Sequence, residues 1–235
     1  MMKIRLNKDG KKRIGFIVRE LEKINTEITL IYKNLKIDMD DQYQRINVAY
    51  FGLFKSHFDS FKLLIKNDEF NSSIVIARTM LELYVRCFYL EFIEKPKGSD
   101  VIKLLNQKDD FSSFFKMSTA LDNYEHTENG DFQKHFKQYT KQGMTLYEKY
   151  SKFTHGRGEI ITALYKANNL ENVVFAFEDI EDSLLTIKGM YETFALQFLY
   201  VQGNEIMRKK LADRMIQSEI TLLSKGIGQP DYITG

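Results

Sequence analysis

The sequence is poor in residues that interrupt or cross-link a chain: it has one cysteine, two prolines and no tryptophan among 235 residues. The single Cys87 cannot form an internal disulfide, which predicts a buried structural thiol in a reducing compartment. Two prolines and 13 glycines are too few breaks for a fold of many short strands. No apolar run approaches the ~20 residues of a membrane span, and none near the start is long enough for a signal peptide. These absences predict a soluble, cytoplasmic and helical protein.

Several catalytic signatures are also missing from the sequence. It contains no glycine-rich phosphate loop, no dinucleotide-binding turn, no His-Glu-x-x-His and no Gly-x-Ser-x-Gly. His126 and His135 flank an acidic stretch, but their spacing matches no standard metal motif, so we expect a solvated loop there. His57 lies on the apolar side of a predicted helix and is expected to be a core histidine. The sequence therefore predicts neither a metal ion nor another cofactor.

The charge of the chain is nearly balanced. A net charge of +2 gives no overall basic field of the kind that dedicated nucleic-acid-binding proteins show. Basic residues do cluster at the start, where six of them accompany a single Asp9. A solvated tail is favoured there over an arm that contacts phosphate. Residues 1–13 are therefore predicted to form a basic N-terminal tail.

Apolar residues recur at intervals of three and four along most of the chain, the spacing of one face of an amphipathic helix. Long helices are predicted over residues 11–35, 41–66, 70–94, 131–153, 178–201 and 204–223, with shorter ones over 101–105 and 110–124. Long helices joined by a few residues pack antiparallel. The predicted fold is all-α: an up-down helical bundle over 14–202 with shorter middle helices, followed by a C-terminal helix and frayed tail over 203–235.

The predicted helix over 70–94 carries three charges in an otherwise apolar stretch. Arg78, Glu82 and Arg86 are spaced four apart, so they lie along one side of the helix; we call them the polar seam. Because the helix has no clean polar face, it is expected to be surrounded by other helices, where an unpaired charge would cost several kcal/mol. Pairing of Glu82 with both arginines is the favoured interpretation. The alternative leaves one arginine to bind an anion, since the guanidinium fork suits phosphate.

A second candidate site follows the predicted helix over 131–153. His155 and Arg157 lie in the sequence Thr-His-Gly-Arg-Gly, which ends that helix. A helix C-terminus stabilises the imidazolium ion, so His155 could act as a general acid or base beside an Arg157 phosphate clamp. Equally, His155 could cap the helix by donating to a carbonyl oxygen or to Glu82. Both interpretations remain open at this stage, with the cap slightly favoured.

The two stretches together resemble a bacterial family of HEPN-like helical-bundle proteins. Residues 71–90, with Arg78 and Glu82, resemble that family's R-x-x-x-E helix, and residues 147–155, with Ser151 and His155, resemble its second motif. The resemblance implies a helical bundle that often dimerises. For many HEPN proteins, the resemblance also implies metal-independent RNA cleavage by an arginine and a following histidine with four to six residues between them. This chain has Glu148, Lys149 and Tyr150 at the corresponding positions, so Lys149 supplies charge there without a guanidinium group.

The site residues follow from this resemblance. His155 is expected to act as general acid or base, with Arg78 or Arg157 stabilising the phosphorane-like transition state and Glu82 in the same catalytic set. Expected binding residues are Arg86, Ser151, Lys149 and Tyr147. The implied role is stress or phage defence as a homodimer that contacts RNA or a nucleotide, with an antitoxin or sensor protein as a further partner. The alternatives are a non-enzymatic protein-interaction bundle with a buried Arg-Glu-His network, and a bundle that binds an anionic nucleotide.

Overall fold

The structure, a computed structural model, describes residues 8–34, 36–106, 111–124, 135–141, 146–154 and 177–228. Within these ranges every regular element is a helix, which confirms the all-α helical prediction. The α-helices are α1 Lys8–Lys33, α2 Gln42–Lys66, α3 Phe70–Tyr89, α4 Val101–Asn106, α5 Phe114–Asp122, α6 Leu146–Thr154, α7 Phe177–Val201 and α8 Glu205–Leu223, and a 3-10 helix spans His135–Tyr139. None of the described helices combines the length and apolar character needed to cross a membrane.

The helices form two compact units, and neither unit is continuous in sequence. The first contains α1, α7, α8 and the turn Lys66–Phe70. The second contains the remainder of α2 and α3, together with α4, α5 and α6. This division differs from the expected boundaries at 14–202 and 203–235, because α8 packs on α7 and α1 as part of the first unit.

The first unit is a three-helix arrangement of mixed direction. Two hydrogen-bonded residue pairs and one ring contact join α1 to α7 in ascending order along both helices: Arg13 with Glu181, Asn25 with Tyr191, and Tyr32 with Phe198. These two helices therefore run parallel. Helix α8 runs back against both, since it follows α7 after a three-residue turn and places Arg214 Nε 2.7 Å from Glu27 Oε1.

Arg13 lies in a helix and is ion-paired, in contrast to the solvated tail predicted for residues 1–13. Its Nε and Nη2 atoms donate to Glu181 at 2.9 and 2.7 Å, and Nη2 also donates to the carbonyl oxygen of Gly226 at 2.9 Å. Helix α1 begins at Lys8, so residues 8–13 belong to a helix rather than to a solvated tail. The spacing of charges along the sequence could not reveal an ion-pair partner that lies 168 residues away.

In the second unit, α2 and α3 form an antiparallel hairpin. Asp41 caps α2, because its Oδ1 accepts from the backbone N–H of Tyr43 at 2.7 Å. After the turn, Asn47 near the start of α2 meets the far end of α3, where its side-chain amide contacts Cys87 and Glu91. The short Asn67-Asp68 break thus reverses the chain direction, as predicted.

The buried face of α2 is formed mainly by aromatic residues. Tyr43, Phe51 and Phe58 are buried, whereas Ala49 and Leu53 are exposed. His57 is half-buried rather than a core residue. Large aromatic rings bury more apolar area than Ala or Leu, so they determine which face of the helix turns inward.

Helix α3 has a narrow solvent face that the sequence interpretation missed. Ser72, Val75, Thr79 and Arg86 are exposed and recur at helical spacing. The helix is therefore not surrounded on all sides. Its end matches the prediction: a wider π-helical turn over Leu90–Glu94 and a 3-10 turn at Lys95–Lys97 lead to Gly98, whose φ of 69° is accessible to glycine.

Cys87 is buried, as predicted, with 1% of its surface exposed. Its Sγ lies 2.7 Å from Asn47 Oδ1, and burial, with a smaller effect of Glu91, raises the pKa of the thiol well above its ordinary value. We expect the folded protein to react with a disulfide reagent such as DTNB at least about tenfold more slowly than the urea-unfolded protein, because only the thiolate reacts. Equal rates in the two states would contradict this account of Cys87.

Candidate functional site

The candidate site begins where α6 meets the polar seam of α3. Arg78 Nη2 donates to the Tyr147 hydroxyl at 3.0 Å, and the guanidinium carbon lies 5.0 Å from the centre of the Tyr147 ring. The Tyr147 hydroxyl in turn donates to Glu82 Oε1 at 3.3 Å, which lies 3.5 Å from Arg78 Nε. The predicted Arg78–Glu82 pair is therefore present, and Tyr147 of α6 joins both of its members.

The polar seam is partly open to solvent. The side chains of Arg78 and Glu82 are 18% and 32% exposed, and Arg86 is exposed. Arg86 was expected to pair with Glu82, but the two form no ion pair within the described residues. Instead its guanidinium lies 5.4 Å from the centre of the Phe111 ring. Arg86 also interacts with Tyr50: burial raises the pKa of Tyr50, and the charge and hydrogen bond of Arg86 oppose this rise. The seam is therefore a surface feature rather than a sealed network.

Aromatic rings of α5 and its preceding residues extend this site. Tyr147 stacks on Phe114, with ring centres 4.1 Å apart and planes 15° from parallel, and meets the edge of Phe115 at 5.4 Å. We call Phe111, Phe114, Phe115 and Tyr147 the aromatic platform. Three cations lie over its rings: Arg78 over Tyr147, Arg86 over Phe111, and Lys141 over Phe115 at 5.4 Å. Sequence analysis assigned the phenylalanines only to an apolar helix face.

A cavity of about 700 Å³ adjoins the aromatic platform. It shares Phe115 and Lys141 with the platform, and its volume falls within the range of ~300–1,000 Å³ typical of small-molecule sites. Its lining residues are Ser113, Phe115, Lys116, Thr119, Ala120, Asp122, Asn123, Thr140 and Lys141. Two lysines, the hydroxyl groups of Ser113 and Thr119 and one amide thus supply hydrogen-bond donors around an aromatic ring, while the Thr140 hydroxyl donates to the carbonyl oxygen of Lys137.

Asp122 also lines this cavity, but its Oδ1 atom is buried and is not exposed there. This atom finds no donor among the described residues. A buried carboxylate oxygen without a donor costs about 1–3 kcal/mol, so native structures rarely leave one unsatisfied. Because the atom is not exposed to the cavity, it does not indicate a ligand there.

Some of the predicted site residues meet in the structure and others do not. Arg78, Glu82 and Tyr147 meet directly, and Ser151 follows Tyr147 by one helical turn of α6, with its Oγ buried. Lys149 is half-buried and lies about 200° around α6 from Tyr147, on a different side of that helix. His155 and Arg157 lie outside the described residues, so their assigned roles stay predictions.

His135 is not a catalytic candidate on this geometry. His135 Nε2 and the Tyr84 hydroxyl share a hydrogen bond of 2.7 Å, and burial lowers the pKa of His135, which favours the neutral ring. The expectation of a solvated His135 was therefore wrong, and the single helix predicted over 131–153 is replaced, where described, by the 3-10 helix and α6. His126 lies outside the described residues. No group of three or more metal-ligating side chains occurs in the part of the chain that the structure describes.

Comparison of the chain with protein-family models, with curated proteins and with solved structures finds no match. The HEPN-like assignment thus rests on the motif residues themselves. Of these, Arg78 and Glu82 on α3 and Ser151 on α6 lie within the described structure.

Proposed function

We propose that this protein is a cytoplasmic, HEPN-like helical bundle that binds single-stranded RNA at the aromatic platform and the adjoining cavity. The observation that carries the proposal is the overlap of the two features at Phe115 and Lys141, where a partly exposed ring, a cation and a cavity coincide. Proteins that bind single-stranded nucleic acid combine stacking rings with cations that contact the backbone. The net charge of +2 limits this binding to a local site.

The chemistry of the cavity suits a nucleotide unit of RNA. A base can stack on Phe115, which is half-buried, while Lys116 and Lys141, both exposed, contact flanking phosphates. Ser113 and Thr119 offer hydroxyl groups at the same opening. The exposed side-chain amide of Asn123 would bond the ribose 2′-hydroxyl, the group that distinguishes RNA from DNA.

The proposal includes cleavage of the bound RNA. His155 would act as general acid or base, and Arg78 or Arg157 would stabilise the charge on the phosphorane-like transition state. Arg78 is suited to such a role because Tyr147 and Glu82 fix its orientation. In this hypothesis the protein acts as a homodimer in stress or phage defence and is restrained by an antitoxin or sensor protein.

RNA binding can be tested by fluorescence anisotropy with a labelled single-stranded RNA about 12 nucleotides long, at fixed salt. Phe115→Ala should weaken binding about 5- to 100-fold, because stacking of one base contributes about 1–3 kcal/mol. The double variant Lys116→Ala/Lys141→Ala should weaken it about tenfold. Lys103→Ala, an exposed lysine on α4, is the matched control and should stay within about twofold. Unchanged affinity in folded Phe115→Ala and lysine variants would refute this site.

Cleavage needs its own experiment. Incubation of the protein with the same RNA in the presence of EDTA should yield shorter fragments if the reaction is metal-independent. His155→Ala should abolish these fragments while leaving the melting temperature and the RNA affinity unchanged. Cleavage that persists in His155→Ala would reject His155 as the catalytic group, and RNA binding without any cleavage would reduce the proposal to a binding function.

A non-enzymatic interaction bundle is the second candidate, favoured by the engagement of Arg78 with both Glu82 and Tyr147 inside the fold. A buried network would make Glu82→Ala cost a few kcal/mol. Because Glu82 is about one-third exposed, we expect a loss of only about 1 kcal/mol in a urea-unfolding experiment. A loss of 3 kcal/mol or more would favour the structural network over the binding site.

A further inference from the structure

The first unit contains a separate cavity of about 300 Å³ between α7 and α8. It is closed at one end by Ile227 and Gly228, which follow α8. Most of its lining is apolar: Leu185, Gly189, Met215, Leu222, Leu223, Ile227 and Gly228. Three charged residues complete it, namely Lys188 and Glu192 from α7 and Glu219 from α8. The cavity thus has an apolar body and one charged side.

We propose that this cavity binds a small organic amine, with its ammonium group between the carboxylates of Glu192 and Glu219 and its alkyl chain against the apolar wall. The site belongs to the first unit and is independent of the proposed RNA function. Neither outcome of the RNA experiments bears on it.

The first observation is the burial of an ion pair that faces the cavity. The side chains of Lys188 and Glu192 are only 7% and 6% exposed, and Lys188 Nζ donates to Glu192 Oε1. Replacing such a pair by apolar residues is often neutral or stabilising, so stability alone does not account for two buried charges beside an empty apolar space. A polar ligand would account for them.

The second observation is the balance of charge. One ammonium group, on Lys188, and two carboxylates line the cavity, so its acidic groups outnumber its basic groups by one; Glu192 is buried and Glu219 is exposed. Burial raises the pKa of Glu192, the charge and hydrogen bond of Lys188 oppose the shift, and Glu219 raises it further. Both carboxylates line the same cavity, so a cation placed between them would offset their mutual repulsion.

The third observation is Gly189 in the middle of the 25-residue helix α7. A Cβ atom built on Gly189 would meet nothing within 4 Å, and its φ is not in the left-handed region. Neither crowding nor backbone conformation therefore requires glycine, although glycine disfavours a helix relative to alanine. Because Gly189 lines the cavity, its missing side chain keeps the space above α7 open.

The size of the cavity limits the ligand. A volume of about 300 Å³ is at the lower end of the range of ligand sites, enough for a chain of about six carbons with one head group. The apolar wall excludes a polycation with charges along its whole length, because each further ammonium would be desolvated without a partner. A primary alkylamine is therefore the simplest probe.

The test measures the melting temperature with n-hexylamine, n-hexanoate and n-hexanol, each at 10 mM in the same buffer. Hexylamine should raise the melting temperature by about 3–6 °C if its dissociation constant is near 1 mM, whereas the acid and the alcohol should not. Equal shifts with the alcohol would mean unspecific apolar binding and would overturn the assigned charge recognition. No shift with hexylamine in the folded protein would overturn the proposal outright.

Variants of Gly189 provide the decisive comparison. Gly189→Phe should fill the cavity and abolish the hexylamine shift without altering a charged group, whereas Gly189→Ala leaves room and should keep it. Glu219→Gln, at an exposed position, should weaken hexylamine binding about tenfold in isothermal titration calorimetry. An undiminished shift in Gly189→Phe, or unchanged affinity in Glu219→Gln, would place the amine elsewhere and overturn the proposal.

Discussion

Tyr84→Ala is expected to lower the free energy of unfolding by about 3–5 kcal/mol, the usual loss for truncating a fully buried aromatic residue. Tyr84 has no exposed surface, and its ring centre lies 4.7 Å from that of Phe88 and about 6 Å from those of Phe136 and Tyr139. It thus joins α3 to the 3-10 helix His135–Tyr139. Removing the ring would leave a cavity among partners that cannot all close over it.

Urea unfolding followed by circular dichroism measures this loss, with Tyr84→Phe as the matched control. The phenylalanine keeps the ring contacts but removes the hydroxyl that is hydrogen-bonded to His135, so it should cost only about 1–2 kcal/mol. Equal losses in the two variants would mean that the hydroxyl group, rather than ring packing, holds this part of the second unit together.

Lys188→Met is expected to cost about 3–5 kcal/mol at pH 7, because it leaves the Glu192 carboxylate buried without its ammonium partner. The double variant Lys188→Met/Glu192→Leu should recover most of this loss, since it removes both charges. It should also lose the hexylamine shift. A single variant as stable as the wild type would show that Glu192 reaches solvent.

The cost of Lys188→Met should depend on pH. Burial already raises the pKa of Glu192, and loss of Lys188 removes the interactions that oppose this shift. A carboxyl group whose pKa is higher in the folded than in the unfolded protein binds more protons when folded, so its contribution to stability falls as the pH rises. The difference in unfolding free energy between Lys188→Met and the wild type should therefore shrink from pH 7 to pH 5, and a constant difference would contradict this assignment.

Local features of the fold could be predicted from the sequence because they depend on neighbours along the chain. Helix α7 spans Phe177–Val201 against a prediction of 178–201, since its apolar residues keep a helical period throughout. The Arg78–Glu82 pair follows from a spacing of four. The cap of α2 at Asp41 follows from the side chain's preference for backbone N–H groups.

Features that depend on distant partners could not be predicted in the same way. The pairing of Arg13 with Glu181 joins residues far apart in sequence, so the charge pattern suggested a tail instead. The aromatic platform needs α6 to dock beside α5, and a phenylalanine-rich helix face by itself indicates only a core. Tyr147 was singled out only through its place in a motif.

The most direct test of the proposed RNA site is photo-crosslinking with single-stranded RNA that contains 4-thiouridine, followed by mass spectrometry of the attached peptides. The proposal predicts adducts on Phe115 and Tyr147, which should disappear when unlabelled RNA competes. Adducts confined to the basic residues 1–13, or no adducts that unlabelled RNA displaces, would contradict it.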